Sequence, residues 1–302
     1  EAWLLTPIPG TPIYLKGGHM PLQLSNGWFF RSMKNGSDAW VAYTDIGTLH
    51  LGFVDVKALE NTRNKSDDTD FYVLVATNKF GDVTAGINIT QITDRTGAAT
   101  NSLYGSTFTE VDAQNIGLHA GGKVGPLNLQ AEFDAQLGDA KTATATSKLK
   151  GMQAVVQGNV PMAPVTVNFT VGYGTGPKAN SNDVDLIVTV LDADPHYTLL
   201  YEYITPGACG KVNQGFCNTT AVSAGVTFAA TKNLSVGLDA WMLQATEKVN
   251  KAASVGTGTT NDIGTEIDVK VNWKLADNVT WNWTLATLMA GDALGKDDAL
   301  GA

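Results

Sequence analysis

The sequence predicts an all-β fold, a transmembrane antiparallel β-barrel with about 16 strands visible in this chain. Three observations lead there: unusually long strands, connections that alternate between short turns and long polar loops, and an apolar/polar period of two. All three appear in "EIDVKVNWKLADNVTWNWTL" (266–285). Ile267, Val269, Val271 and Trp273, then Val279, Trp281, Trp283 and Leu285, fall on one face. Glu266, Asp268, Lys270 and Lys274 fall on the other, and "ADN" separates the runs. Successive side chains of a strand point to opposite faces, so this is a hairpin with one oily and one charged side.

The same pattern repeats along the chain. Short turns are read at "PIPG" (Pro7), "TDIG" (Thr44), "KFGD" (Lys79), "KVGP" (Lys123), "PMAP" (Pro161), "DADP" (Asp192), "ATKN" (Ala230) and "LADN" (Leu275). Longer polar segments separate them, among them "ENTRNKSDDT", "GDAKTATATS" and "ITPGACGKVNQGFCN". The predicted strands are Glu1–Thr6, Thr11–His19, Asp38–Tyr43, Thr48–Ala58, Thr69–Asn78, Val83–Thr93, Thr109–Gly121 and Leu127–Leu137. They continue as Lys148–Val160, Val165–Gly174, Asp183–Leu191, His196–Ile204, Thr219–Ala229, Leu234–Ala245, Asp262–Lys274 and Val279–Ala290. Strands of globular proteins peak near five or six residues, whereas a tilted strand crossing a bilayer needs about 9–11. The whole chain, 1–302, reads as a single transmembrane β-barrel domain. Strand parity leads us to expect eighteen strands in the complete barrel, with parts of the first and last outside this sequence. A propeller-like repeat of similar pitch would need four short strands per unit, where only two long ones fit.

Composition excludes several classes. Charged residues make up only 16% of the chain, and the net charge is −9. An acidic chain without a basic cluster does not suit nucleic acid, whose phosphates demand Lys and Arg. No apolar run reaches the ~18 residues of a membrane helix. "EAWLLTPIPG" lacks the basic start and apolar core of a secretory leader. Cys209 and Cys217 close a small polar loop and are expected to form a disulfide in an oxidising compartment. A metal pair is the rival, but no His or further Cys lies nearby to complete four ligands.

Strand length, the turn/loop asymmetry and the aromatics decide which face is inside. Outer-membrane barrels have short periplasmic turns, longer outer loops, and apolar-out, polar-in strands bounded by aromatic girdles. Tyr43, Trp273, Trp281 and Trp283 crowd the short turns and are assigned to a girdle, with Phe80 beside "KFGD". Tyr104, Tyr173 and Trp241 are placed at the opposite strand ends. Backbone groups within a bilayer must all be paired, so the sheet must close. The polar faces then line a lumen, and the expected pore-lining residues are Glu110, Asp112, Glu132, Asp134, Asn168, Asp239, Glu266, Asp268, Lys270 and Lys274.

"EAWLLTPIPGTPIYLKGGHMPLQ" with "DAWVAYTDIGTLHLGFV", the closing "GTEIDVKVNWKLADNVTWNWTLATLMAGD", and "DADPHYTLLYEY" resemble the alginate-export-like group of outer-membrane porins. The resemblance implies an eighteen-stranded barrel that passes a solute across the bacterial outer membrane. One departure is plain. Exporters of anionic alginate line the pore with Arg and Lys, whereas carboxylates predominate on the faces assigned here, and a "GR" position reads Gly17–His19 as "GGH".

The expected function is a porin passing small hydrophilic solutes or ions, with a mild preference for cations or neutral solutes. Such passage needs charge rings and hydrogen-bonding groups but no covalent chemistry, so no enzyme activity, metal or cofactor is expected. The partners read from the sequence are outer-membrane lipid and the solute, with a homo-oligomer or partner protein left open. Two other classes compete. A structural barrel would be a surface adhesin or sheathe an electron-transfer cytochrome, whose haem would come with that partner, since the chain has no C-x-x-C-H. A hydrolase would need a nucleophile and base, and His19, His50, His119 and His196 stand in no recognisable motif. Glu132 with Asp134 would share a face as an acid–base pair, and Asp183, Asp185, Asp192 and Asp194 are oxygen donors of the kind calcium takes.

Overall fold

The structure is a computed structural model that describes residues 1–60, 65–96, 104, 108–191, 197–202, 208–209 and 214–295. Sixteen strands form one sheet, and among the described residues there is no helix. In the first half these are β1 (Ala2–Pro7), β2 (Tyr14–Gln23), β3 (Phe30–Ile46), β4 (Leu49–Leu59), β5 (Thr69–Phe80), β6 (Val83–Asp94), β7 (Glu110–Val124) and β8 (Leu127–Lys141). They continue as β9 (Thr146–Lys148), β10 (Met152–Met162), β11 (Val165–Gly174), β12 (Val190–Leu191), β13 (Thr219–Ala229), β14 (Leu234–Asn250), β15 (Thr259–Ala276) and β16 (Val279–Ala290). The long strands neighbour one another in chain order, skipping only β9, which pairs with β8, and β12, which pairs with β3. The ladders are antiparallel except for that of β12.

Turn chemistry explains the meander. Gly47, Gly81 and Gly125 sit in the two-residue turns after β3, β5 and β7 at φ of 62°, 63° and 60°. That left-handed conformation costs glycine little and matches the twist of a tight hairpin. The hairpin that prompted the face question pairs Trp273 with Trp281 and Lys270 with Thr284 around the Asp277–Asn278 turn.

One predicted hairpin is absent. Asp183–Leu191 and His196–Ile204 were expected as two meander strands about "DADP". Of the first, only Val190–Leu191 is a strand, parallel to Phe30–Arg31. The described part of the second, 197–202, contains none, and the turn residues 192–195 lie outside the described residues. The apolar run misled: Ile187, Val188 and Thr189 are all 3% exposed or less, so consecutive side chains are buried instead of alternating. Such a run cannot show a bare face, and its backbone instead packs across strands. Lys150 N–H donates to Val184 O, Val184 N–H to Lys148 O, and Val190 N–H to Phe29 O.

The chain divides into two compact units. The first comprises residues 1–121, 132–153 and 177–194; the second comprises 122–131, 154–176 and 195–302. In the first, one sheet face carries Trp40, Leu74, Leu118 and Leu137, all exposed to solvent. Its other face is covered by residues 24–30 and 183–190 and holds an apolar cluster that includes Phe29, Phe30, Val54, Phe71, Val73 and Val188. In the second unit the bare face carries Leu238, Met242, Trp283 and Leu285, exposed by 47%, 65%, 67% and 70%. Its covered face holds Trp241, Leu243, Glu266 and Asp268 beneath residues 197–202 and 214–218.

Candidate functional site

The covered faces are where the polar residues gather, and two carboxylates organise them. In the first unit Glu132, on β8, accepts the N–H groups of Asn26, Trp28 and Phe29 at 2.6, 3.1 and 3.1 Å. In the second, Glu266 on β15 accepts those of Leu199, Leu200 and Tyr201 at 2.7, 2.8 and 2.9 Å. Each carboxylate thus gathers backbone donors that a folded-in segment would otherwise leave unpaired. Glu132 is 3% exposed and Glu266 is fully buried. They lie on the face assigned from the sequence, but beneath packed segments and not against open water. That is a correction with a simple cause, because period two reports the face and says nothing of what folds over it.

Asp134 follows the same logic. Its two oxygens accept Asn115 Nδ2 at 3.0 Å and Gln153 Nε2 at 2.9 Å. A third clamp is Gln136, which donates to Val188 O and accepts Val188 N–H at 2.7 and 3.1 Å. Glu132 and Asp134 also share a side-chain hydrogen bond, and the rest of their acceptors is spent on architecture. In the second unit Asp239 faces Asp268 across the ladder and pairs with Lys270 Nζ at 3.0 Å. Asp268 is fully buried and shares a side-chain hydrogen bond with Glu266. Asn168 donates to Thr227 Oγ1 at 3.2 Å, and Lys274 reaches Asp277 in the turn at 3.0 Å.

Two assigned pore residues are on the other side. On β7, Val111, Ala113 and Asn115 are buried on the covered face, so Glu110 and Asp112 fall on the face that carries Leu118. There Arg95 meets Asp112 at 2.6 Å and Glu110 at 3.4 Å, and Lys141 meets Glu110 at 3.0 Å. Asp55, Lys57 and Asp70 gather on the same face, with Lys57 to Asp70 at 3.0 Å. Near the long-loop ends of strands the apolar band stops, so charges can occupy either face.

The aromatics divide in the same way. Trp273 stacks on Trp281 with ring centroids 6.2 Å apart, Trp283 stands 6.4 Å further on, and all three are exposed. Tyr43 stacks on Tyr14 at 5.4 Å, but alternation along β3 puts it on the covered face with Val41 and Val54, so it is not part of the girdle; Phe80 and Tyr173 are exposed. Trp241 and Tyr104 are buried, contrary to the rim position expected of them. Trp241 packs 5.5 Å from Tyr197, which itself stacks on Phe216 at 4.3 Å. Cys209 and Cys217 are joined with Cα atoms 6.0 Å apart. Asp183 is bound to Lys150 at 2.5 Å and Asp185 to Lys178 at 3.7 Å, so lysines serve the two described carboxylates of the calcium idea. Asp192 and Asp194 lie outside the described residues.

Sequence reasoning missed the network at Ser25. Its Oγ lies 2.9 Å from His119 Nδ1 and accepts Asn88 Nδ2 at 2.7 Å. One signal for the anchors was present: "AEFD" and "TEID" repeat a Glu-x-Asp on the polar face, and in both copies the Glu holds a segment.

An antiparallel meander with an exposed oily face, a polar face and folded-in segments defines the fold of outer-membrane β-barrel channels. Known structures agree. OccK9 (OpdG) of Pseudomonas aeruginosa superposes with a TM-score of 0.57 at 12% identity, over 94% of this chain and 70% of that one. OccK2 (OpdF) of the same organism, solved in complex with glucuronate, gives 0.54 at 12% identity over 92% and 72%. OpdK with vanillate gives 0.54 at 11% identity over 93% and 71%. No protein-family model matches the chain, and no curated protein matches it.

Proposed function

We propose that this chain is an outer-membrane channel of the bacterial envelope, passing small hydrophilic solutes or ions through a polar lumen. The observation that carries the proposal is the inversion of the two faces. Tryptophans and leucines stand exposed while Glu266 and Asp268 on the same strand are fully buried. A soluble sheet does the reverse, and an exposed apolar surface of this extent calls for a membrane. Residues 1–302 are read as one barrel domain in contact with outer-membrane lipid. Asn168, Asp239, Lys270 and Lys274 are the pore-lining residues retained, with Asp268, Asp134 and the two glutamates as their buried support. Trp273, Trp281 and Trp283 form the girdle.

Carboxylates outnumber lysines on the covered faces, which favours cations or neutral solutes over a polyanion such as alginate, despite the resemblance of the end segments to alginate-export-like porins. Covalent chemistry is not part of the proposal. Ser25 and His119 have the spacing of a nucleophile and base, but Asn26, Trp28 and Phe29 spend their N–H groups on Glu132, and Gly27 N–H donates to Leu24 O. No adjacent amide pair is left there to stabilise an oxyanion.

The test is reversal potential across a planar bilayer in a salt gradient. Stepwise openings with a potential of cation-selective sign are expected. A silent bilayer, or clear anion selectivity, would overturn the reading.

A further inference from the structure

We propose that the first unit contains a solute-binding subsite for a small, uncharged molecule with an apolar ring and one hydrogen-bonding end. The inference deepens the channel reading, on which it rests for the route by which a solute arrives. A cavity of about 320 Å³ lies beneath residues 22–25 on the covered face of β3 to β7. That size is at the lower end of small-molecule sites, room for a single substituted ring.

Its walls are of two kinds. Leu22, Val41 and Val75 are only partly buried, above the fully packed Phe71 and Val73, and give an apolar body somewhere to lie. At the other end are Ser25, Asn88 and His119, joined by the two hydrogen bonds on Ser25 Oγ. Among the described lining residues there is no Lys, Arg, Asp or Glu, so nothing there compensates a full charge, and burying an unpaired one is costly.

Two observations mark the polar end as a recognition point. Asn88 is 1% exposed and its amide oxygen has no hydrogen-bond partner. Its Nδ2 is spent on Ser25 Oγ and fixes that hydroxyl at the cavity wall. Ser25 is held at φ 51°, a conformation uncommon outside glycine, and the Glu132 contacts that begin at the next residue fix the turn. The strained turn keeps the hydroxyl on the cavity and between Asn88 and His119. An uncharged phenol or alcohol fits this arrangement, its hydroxyl at the Ser25–His119 pair and its ring against the valines. Carboxylates do not.

The test uses the purified full chain with benzyl alcohol and benzoate as probes, binding read by ligand-observed NMR and conductance measured separately. Saturable binding of benzyl alcohol is expected, at least tenfold tighter than benzoate. Gly52 lines the cavity, and a Cβ there meets nothing closer than 3.7 Å, so Gly52→Leu fills the space without disturbing the sheet and abolishes binding. Ser25→Gly suits the positive φ, removes the hydroxymethyl side chain, and weakens binding several-fold. Unchanged binding in Gly52→Leu, equal affinity for benzoate, or no saturable binding overturns the subsite. Binding without channel activity supports the subsite and overturns the pore; open channels without binding do the opposite.

Discussion

At the scale of single residues, Glu132 and Glu266 matter more than their charge suggests. Each gives three backbone N–H groups an acceptor in place of water, worth roughly 0.5–1.5 kcal/mol apiece. Glu266→Ala should therefore free residues 197–202 while the ladders of β14 to β16 persist. Chymotrypsin cleavage at Leu199–Tyr201 should rise at least tenfold with heat-modifiable mobility unchanged; equal protection would show that packing of Tyr201 alone holds the segment. The Lys150–Asp183 pair makes a second prediction. The hydrogen bond from Lys150, helped by Lys148 N–H, holds the Asp183 carboxyl below its usual value, and Asp183 raises Lys150. A depressed carboxylate contributes stability above about pH 4 and loses it as pH falls through its lower folded value. A raised lysine contributes below about pH 10 and loses it as pH rises beyond. Amide exchange at Val184 and Lys150, corrected for intrinsic pH dependence, should accelerate outside that window, and Asp183→Asn should remove the acid limb.

Elements show why the polar period alone was an incomplete guide. β15 places Trp273 on the bare face and Asp268 on the covered one, so two substitutions separate the roles. Trp273→Asp should lower the yield of membrane-assembled protein, with a modest cost since charges near the interface cost about 0–1 kcal/mol. Asp239→Asn, across the ladder from Asp268 and less deeply buried, should leave assembly intact and shift the reversal potential toward zero. If Asp239→Asn blocks assembly while Trp273→Asp does not, the faces are reversed. Gln136 is the comparable clamp for residues 183–190. Gln136→Leu strands both polar groups of Val188, a loss of about 1–3 kcal/mol each, and should loosen that segment, seen as faster exchange at Val188 and larger current fluctuations.

For the whole molecule, the strands and seven of the eight short turns were legible because period two and turn chemistry are local. Fourteen long strands lie close to where alternation put them, from Ala2–Pro7 to Val279–Ala290. The expected hairpin through Asp183–Ile204 was not, since an apolar run such as "LIVTVL" reads alike in a strand and in a segment buried on every side. Glu110 and Asp112 were misplaced because charge identifies the lumen only inside the apolar band.

By itself the sequence determined a long-stranded antiparallel sheet, its turns, and which side chains of each strand share a face, because strand geometry couples neighbours two residues apart. Only the tertiary structure decided what lies over the polar face. Residues 24–30, 183–190 and 197–202 fold onto it through contacts as distant in sequence as Asn26 and Glu132, and no local period encodes such a meeting.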